Sequence, residues 1–196
     1  VAVSGGLQDN GGSLLLPGEP AMVSPFGGDG GDVLVDPADG CKIVQEYVYL
    51  AMSVTNNCGR NSFASPVADS VRDIAPPDNL TGEARFIAPF TADDANPSTW
   101  LAGGRRVWVQ RNGFDIQSGA EWSSLFDLGA GHYATAVASR GDHAYVAWCG
   151  PCNNKGFTRG MAVGNPSDPA SWRQIDLTTV PERYLSGIGI DPADSN

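Results

Sequence analysis

The chain has 196 residues, a formal net charge of −10 and only 17% charged residues. Binding to nucleic acid needs a basic face, so this acidic balance excludes nucleic acid as the expected partner. No stretch approaches the roughly 18 consecutive apolar residues of a membrane-spanning helix. With 25 glycines and 14 prolines and no long 3.6-residue apolar period, the chain is predicted to be all-β, built from short strands and tight turns.

Groups of short apolar strands and polar turns follow one another along the chain. The clearest group lies at residues 133–148, where two apolar runs flank the polar turn 139–142. In chain order, the predicted strands are one within residues 1–10, then 13–16, 33–35, 43–52, 71–74, 86–91, 100–102, 106–110, 121–126, 134–138, 144–148, 159–163 and 171–177. Residues 185–194 begin a further copy of the same pattern.

This repetition predicts a β-propeller. The turns after the first strand of each group begin 46 to 57 residues apart, at Asp36, Asp93, Ser139 and Asp191. A four-strand unit recurring about every 40–50 residues is typical of propeller blades, which stack because one blade cannot bury both faces of its sheet. Trp122 and Trp172 each open an outer strand, which also favours a propeller over the alternative, a β-sandwich.

We expect residues 1–196 to form a single propeller or a propeller fragment. The predicted blade portions are 1–25, 26–80, 84–128, 131–181 and 185–196. A ring of about four blades would close if residues 185–190 paired with residues 1–16. The alternative is part of a larger propeller, with missing blades or an oligomeric partner at its ends.

The four cysteines are even in number, which in a glycine-rich, lysine-poor chain favours two disulfides and a secreted, extracellular protein. The cysteines are Cys41, Cys58, Cys149 and Cys152. The last two belong to the sequence Trp-Cys-Gly-Pro-Cys, the active-site motif of thioredoxins. Redox chemistry there needs a helix after the second cysteine, and residues 153–160 are poor helix formers. A tied loop is therefore favoured, with a thiol-disulfide oxidoreductase as a minor alternative.

Three segments resemble secreted propellers with BNR or Asp-box repeats, a group that includes sialidase-like and xyloglucanase-like proteins. They are residues 5–11, 27–37 and 186–194. The resemblance implies a propeller that acts on or binds carbohydrate or a glycoprotein. The chain departs from the family pattern in one respect, since its best Asp-box match, residues 117–122, lacks the aspartate. Neither the sialidase Tyr/Glu pair with its arginine triad nor the two catalytic aspartates of xyloglucanases can be assigned.

In a propeller, the loops that enter each first strand and those that join second to third strands lie on one face. This face is the predicted channel mouth. Its candidate catalytic acids are Asp9, Asp29 and Asp32, because glycoside hydrolysis needs two carboxyls about 5–10 Å apart. Its candidate ligand-binding residues are Arg85, Arg105, His132, Arg159, Arg183 and Tyr184. This mixture suits a sugar that carries a carboxylate or many hydroxyls.

Two other interpretations of these residues are open. Residues 27–32 could be a turn or a Ca²⁺ loop, and no other cofactor is expected. Asp36, Asp94 and Asp191 lie on the opposite face and are interpreted as turn formers. The protein is thus a possible glycoside hydrolase or glycan binder, with a non-catalytic structural or protein-binding propeller as the alternative.

Overall fold

The computed structural model describes residues 2–58, 71–152 and 158–193. Its strands form four antiparallel sheets, and within each sheet strands adjacent in sequence pair with each other. We call the four sheets blades I to IV. Blade I contains β1 (Val3–Leu7), β2 (Gly11–Leu15) and β3 (Val23–Phe26), and blade II contains β4 (Val33–Val35), β5 (Ile43–Glu46), β6 (Met52–Thr55) and β7 (Arg72–Asp73). Blade III contains β8 (Phe90–Ala92), β9 (Trp100–Gly103), β10 (Arg106–Gln110) and β11 (Ser123–Asp127), and blade IV contains β12 (Tyr133–Arg140), β13 (His143–Gly150), β14 (Thr158–Asn165) and β15 (Asp168–Gln174).

The blades stack in chain order, and an apolar core fills each space between neighbours. Strand β13 shows how the sequence produces this arrangement. Its alternate residues Ala144, Val146 and Trp148 are buried in the core shared with blade III, as the two-residue period of a strand requires. Blades II and III share a second core around the fully buried Trp100, and blades I and II share a third around Leu14. All-β blades stacked face to face confirm the predicted fold class.

Aspartate side chains build the turns between first and second strands. Asp93 accepts hydrogen bonds from the main-chain N–H groups of Ala95 and Asn96 at 2.9 and 2.7 Å, and from the Ser139 hydroxyl at 2.5 Å. It therefore joins the turn of blade III to that of blade IV. Asp36 and Asp191 each accept the N–H two residues further on, which is local turn chemistry.

Residues 185–193 run beside blade IV and form no strand. Thr135 donates a hydrogen bond from its hydroxyl to the carbonyl of Leu185, and Arg140 donates to the carbonyl of Pro192. The segment therefore lies along β12. Strand β1 pairs with β2, so within the described residues the expected pairing of 185–190 with 1–16 is not formed.

Three predicted strands are wrong in their extent. The strand predicted at 171–177 is β15, which begins and ends three residues earlier. Residues 43–52 form a hairpin, because the chain reverses at Tyr49 and Leu50, whose φ angles are 53° and 62°. Consecutive left-handed residues of this size are rare, and composition gives no sign of them. Residues 86–89 are irregular, and β8 begins only at Phe90. A short helix, α1 (Pro77–Thr81), was not predicted, although it begins with proline and ends at Gly82 with φ 66°.

Candidate functional site

A cavity of about 320 Å³ lies where the inner parts of blades II, III and IV meet residues 186–188. Asp32 precedes β4, residues 87–91 lead into β8, and residues 135–137 belong to β12. Hydroxyl groups are contributed by Thr91, Thr135 and Ser186. Among the described residues that line the cavity, Asp32 is the one charged side chain. The cavity thus combines one carboxylate with hydroxyls, main-chain groups and apolar surface.

Burial shapes the electrostatics beside the cavity. Asp32 is exposed to solvent on one side, and desolvation by the surrounding protein raises its pKa. Glu46 is completely buried, and desolvation raises its pKa to about 8, with a further increase from the neighbouring charge of Asp32. Hydrogen bonds from the N–H groups of Ala88 and Leu50 to its Oε1 oppose the increase. Glu46 is therefore largely protonated at neutral pH.

Glu46 positions the cavity wall rather than contacting a ligand. Its Oε1 lies 2.8 Å from the main-chain nitrogen of Ala88, which lines the cavity, and 3.3 Å from that of Leu50. Its Oε2 has no hydrogen-bond partner among the described residues. Sequence reasoning missed Glu46. The available signal was a carboxylate within the apolar run of β5, which is buried at all four positions.

The three predicted catalytic acids separate in the structure. Asp32 lines the cavity, whereas Asp9 and Asp29 do not. Instead, the carboxylate of Asp29 accepts a hydrogen bond from the main-chain N–H of Asp9 at 2.7 Å. In the described part of the chain, no three acidic, histidine or cysteine side chains are arranged to hold a metal, and Ca²⁺ at residues 27–32 stays a prediction.

The predicted arginines contact protein groups. Arg105 forms ion pairs with Glu83 at 2.8 Å and Asp127 at 3.0 Å. The hydrogen bond from Arg105 lowers the pKa of Glu83. Burial would raise the pKa of Asp127, but hydrogen bonds from the Gly129 N–H and Arg105, with the arginine charges, lower it.

Arg159 also contacts protein groups, in its case main-chain groups of the C-terminal segment. It donates to four main-chain carbonyls, those of Leu177, Val180, Pro181 and Arg183. These contacts fix the path of the chain after β15. Such saturation leaves Arg159 little capacity to bind a ligand carboxylate.

Two of the other predicted mouth residues, Arg85 and Tyr184, lie close to each other, whereas Arg183 and His132 contact different parts of the protein. The guanidinium of Arg85 lies 5.9 Å from the ring centre of Tyr184, and Arg183 donates to the Glu182 carbonyl. His132 donates from Nδ1 to the Leu128 carbonyl at 2.7 Å. None of these residues lines the described cavity, and their role as ligand-binding residues stays a prediction.

Both disulfides are present, as predicted, and they join Cys41 to Cys58 and Cys149 to Cys152. Cys149 is completely buried at the end of β13, and the Gly150 carbonyl accepts a hydrogen bond from the Thr158 hydroxyl on β14. The Trp-Cys-Gly-Pro-Cys motif thus ties the loop between the second and third strands of blade IV. The predicted non-helical stretch 153–157 lies outside the described residues.

Comparison with known proteins supports the fold and does not extend to a function or a set of site residues. No protein-family model matches the chain, and no curated protein sequence matches it. The crystal structure of the GH74 xyloglucanase from Xanthomonas campestris, a propeller enzyme, matches with a TM-score of 0.64 at 12% sequence identity. This chain has the β-propeller fold. The match covers 100% of the chain but 32% of the xyloglucanase, so the chain spans about a third of that protein's length.

Helix α1 has five residues, and no helix of the described residues has the length and apolar character to cross a membrane. Residues 117–122, the best Asp-box match, lie between the third and fourth strands of blade III.

Proposed function

We propose that this propeller binds neutral carbohydrate in the cavity beside Asp32. The observation that carries the proposal is the lining itself, in which one acidic residue, Asp32, occurs with hydroxyl-bearing residues and apolar residues. A carboxylate accepts hydrogen bonds from two neighbouring sugar hydroxyls, and apolar walls accommodate the C–H faces of the ring. A volume of about 320 Å³ is sufficient for one or two sugar rings.

The charges favour a neutral sugar over an acidic one. Asp32 would repel a ligand carboxylate, and no arginine or lysine is among the described lining residues. Arg105 and Arg159, which were expected to hold such a group, donate to protein acceptors instead. The sialidase-like interpretation therefore receives less support than binding of a polyhydroxyl ligand.

The same lining favours binding over hydrolysis. Retaining and inverting glycosidases use two carboxyls that flank the scissile bond. The described lining supplies one, because Glu46 is completely buried behind the wall. We therefore place this chain among glycan binders, and the two disulfides support a secreted, extracellular location.

Binding to a glycan microarray tests the proposal. The array should include neutral cello-, xylo- and xyloglucan oligosaccharides together with sialylated and uronic acid glycans, and the xyloglucan probes follow from the structural neighbour. The wild-type protein should bind neutral members. Asp32→Asn should weaken binding about tenfold, the value of one charged hydrogen bond.

Asp36→Asn is the matched control, because it makes the same substitution at the opposite end of β4. Asparagine keeps the side-chain oxygen that caps the turn there, so binding should not change. Absence of binding to every neutral glycan, or preferential binding of acidic glycans, would contradict the proposal.

A further inference from the structure

Three aromatic side chains are exposed next to the cavity. Tyr47, Tyr49 and Phe86 have 44%, 41% and 46% of their surface accessible to solvent. We call these three residues the aromatic platform. Exposed apolar residues that occur singly need no explanation, but several large rings grouped beside one cavity mark a binding surface.

The fold holds the platform together. The rings of Tyr49 and Phe86 meet edge to face, with centres 5.5 Å apart and planes at 89°. Their main chains are joined by a hydrogen bond of 3.0 Å from the Tyr49 N–H to the Phe86 carbonyl. The Asn79 side chain donates to the Tyr49 carbonyl at 3.0 Å. Because ring and main chain are both fixed, little conformational entropy would be lost when a ligand binds.

The turn that carries Tyr49 has a strained backbone. Tyr49 and Leu50 both adopt left-handed φ angles, 53° and 62°, which cost roughly 1–3 kcal/mol each in residues with a side chain. This turn buries Leu50 completely while leaving Tyr49 exposed. Strain of this kind clusters at ligand sites, where the surrounding structure maintains it.

Buried Glu46 ties the two halves of the platform to each other. Its Oε1 accepts the N–H of Leu50, next to Tyr49, and the N–H of Ala88, two residues after Phe86. One carboxyl group therefore sets the position of the tyrosine turn relative to the phenylalanine segment. The aromatic platform is thus a property of the tertiary structure and not of one loop.

The platform continues directly into the cavity. Ile87 lines the cavity, is 40% exposed and follows Phe86 in the chain. On the other side, the ring of Tyr47 lies against Gly28 in the loop that leads to Asp32, since a Cβ built on Gly28 would be 2.5 Å from Tyr47 Cε2. A ligand larger than the cavity would therefore extend out of the cavity and lie across these rings.

We propose that the aromatic platform is a second subsite for the same neutral carbohydrate, taking the sugar rings that extend beyond the cavity. The inference rests on the proposed function. Flat aromatic faces present apolar surface to the C–H face of a pyranose, and tyrosine hydroxyls can bond its hydroxyl groups. The chain's net charge of −10 disfavours an acidic polymer at this surface.

Isothermal titration with cellobiose and cellohexaose tests the subsite. The wild-type protein should bind the hexasaccharide at least tenfold more tightly than the disaccharide. Phe86→Ala and Tyr47→Ala should each weaken hexasaccharide binding about five- to tenfold and leave disaccharide binding unchanged. Phe86→Leu separates ring stacking from general apolar contact, because leucine keeps apolar area without a flat face. This variant should weaken hexasaccharide binding nearly as much as Phe86→Ala does.

Leu80→Ala is the control for a general apolar docking surface. Leu80 is 86% exposed on α1, next to Asn79, and it is not aromatic, so neither ligand should bind differently. Equal affinity for the two lengths, or binding that is insensitive to both aromatic variants, would overturn the second subsite while leaving the cavity site intact. A loss of hexasaccharide affinity with Leu80→Ala as large as with Phe86→Ala would show that the effect is not specific to aromatic rings and would also overturn the second subsite. Failure of both saccharides to bind would remove the proposed function together with this inference.

Discussion

Oε1 of Glu46 accepts a hydrogen bond from the main-chain N–H of Ala88 at 2.8 Å, across 42 residues of sequence. This contact joins the second strand of blade II to the segment that enters blade III. It also brings a buried carboxyl, with a pKa raised to about 8, against the wall of the cavity. Stability and ligand binding are therefore both expected to depend on Glu46.

The free energy of unfolding should fall as the pH rises from about 4.5 to about 8. The folded protein keeps a proton on Glu46 up to about pH 8, whereas the unfolded chain releases it near the ordinary value of 4.5. Stability therefore falls by at most about 1.4 kcal/mol per pH unit in this window, because the folded state binds more protons. Urea unfolding followed by tryptophan fluorescence at pH 5, 6, 7 and 8 measures it.

Glu46→Gln should remove this contribution and flatten the pH dependence. Glu83→Gln is the control: the pKa of Glu83 is lowered, so its stabilisation is lost only as the pH falls below about 4.5. This variant should keep the wild-type pH dependence between pH 5 and 8. Parallel pH profiles for the wild-type protein and Glu46→Gln would contradict the assignment.

Asp78→Ala should destabilise the protein by about 3 kcal/mol. Asp78 is completely buried, forms an ion pair with Arg106 at 2.9 Å, and also accepts the Arg106 main-chain N–H at 2.7 Å. Without this carboxylate, the Arg106 main-chain N–H loses its acceptor, and the Arg106 side chain keeps only longer ion pairs, 3.7 Å to Glu83 and 3.6 Å to Asp127. Equilibrium denaturation measures the loss. Asp73→Ala is the control: it removes an exposed turn cap and should lower the free energy of unfolding by about 1 kcal/mol or less. Equal losses for Asp78→Ala and Asp73→Ala would contradict the special role of the buried carboxylate.

Asp93→Ala should cost more than the same change at Asp36. Asp93 is 1% exposed and accepts hydrogen bonds from its own turn and from Ser139 and Gly141 of the next blade. Asp36 caps only its own turn. Asp93 accepts four hydrogen bonds and Asp36 accepts two. At about 1 kcal/mol for each hydrogen bond, the expected losses are roughly 4 and 2 kcal/mol. Thermal unfolding of the two variants compares them, and a larger loss at Asp36 would show that the contact between turns contributes little.

The two disulfides should stabilise the protein unequally. Cys41 and Cys58 are 17 residues apart, whereas Cys149 and Cys152 are 3 apart. Since a longer loop loses more entropy when it is closed, replacing the first pair with alanines should cost about 3 kcal/mol and the second about 2. Denaturation of each double variant gives the values. Thiol titration of the unreduced protein should find no free cysteine, and four reactive thiols would contradict both bridges.

Much of the architecture was accessible from sequence because it depends on local chemistry. Asp36 and Asp191 form turns with their own neighbours, and alternating apolar residues such as Ala144, Val146 and Trp148 identify a strand and its buried face. The hairpin at Tyr49 and Leu50 was not accessible. Its left-handed backbone is maintained by Glu46 and by Phe86, which lies in a different blade segment.

The candidate site was only partly predictable. Asp32, a candidate because it follows a glycine-rich loop and precedes a first strand, lines the cavity. The contacts of the predicted arginines were not accessible, since a sequence does not show that Arg105 lies against Glu83 and Asp127 or that Arg159 lies against four carbonyls. The aromatic platform was missed because Tyr47 and Phe86 resemble ordinary core residues until their burial is known.

The sequence by itself determined the all-β class, the repeated four-strand unit, the turn-forming aspartates and the two disulfides, all of which depend on short-range spacing and residue type. Only the tertiary structure decided the location of the cavity, the burial of Glu46 and the exposure of the aromatic platform. The physical reason is that pKa, charge pairing and ring exposure depend on neighbours contributed by other blades. Asp32, Glu46 and Ala88 are far apart in the chain and become a site only when blades II and III pack together.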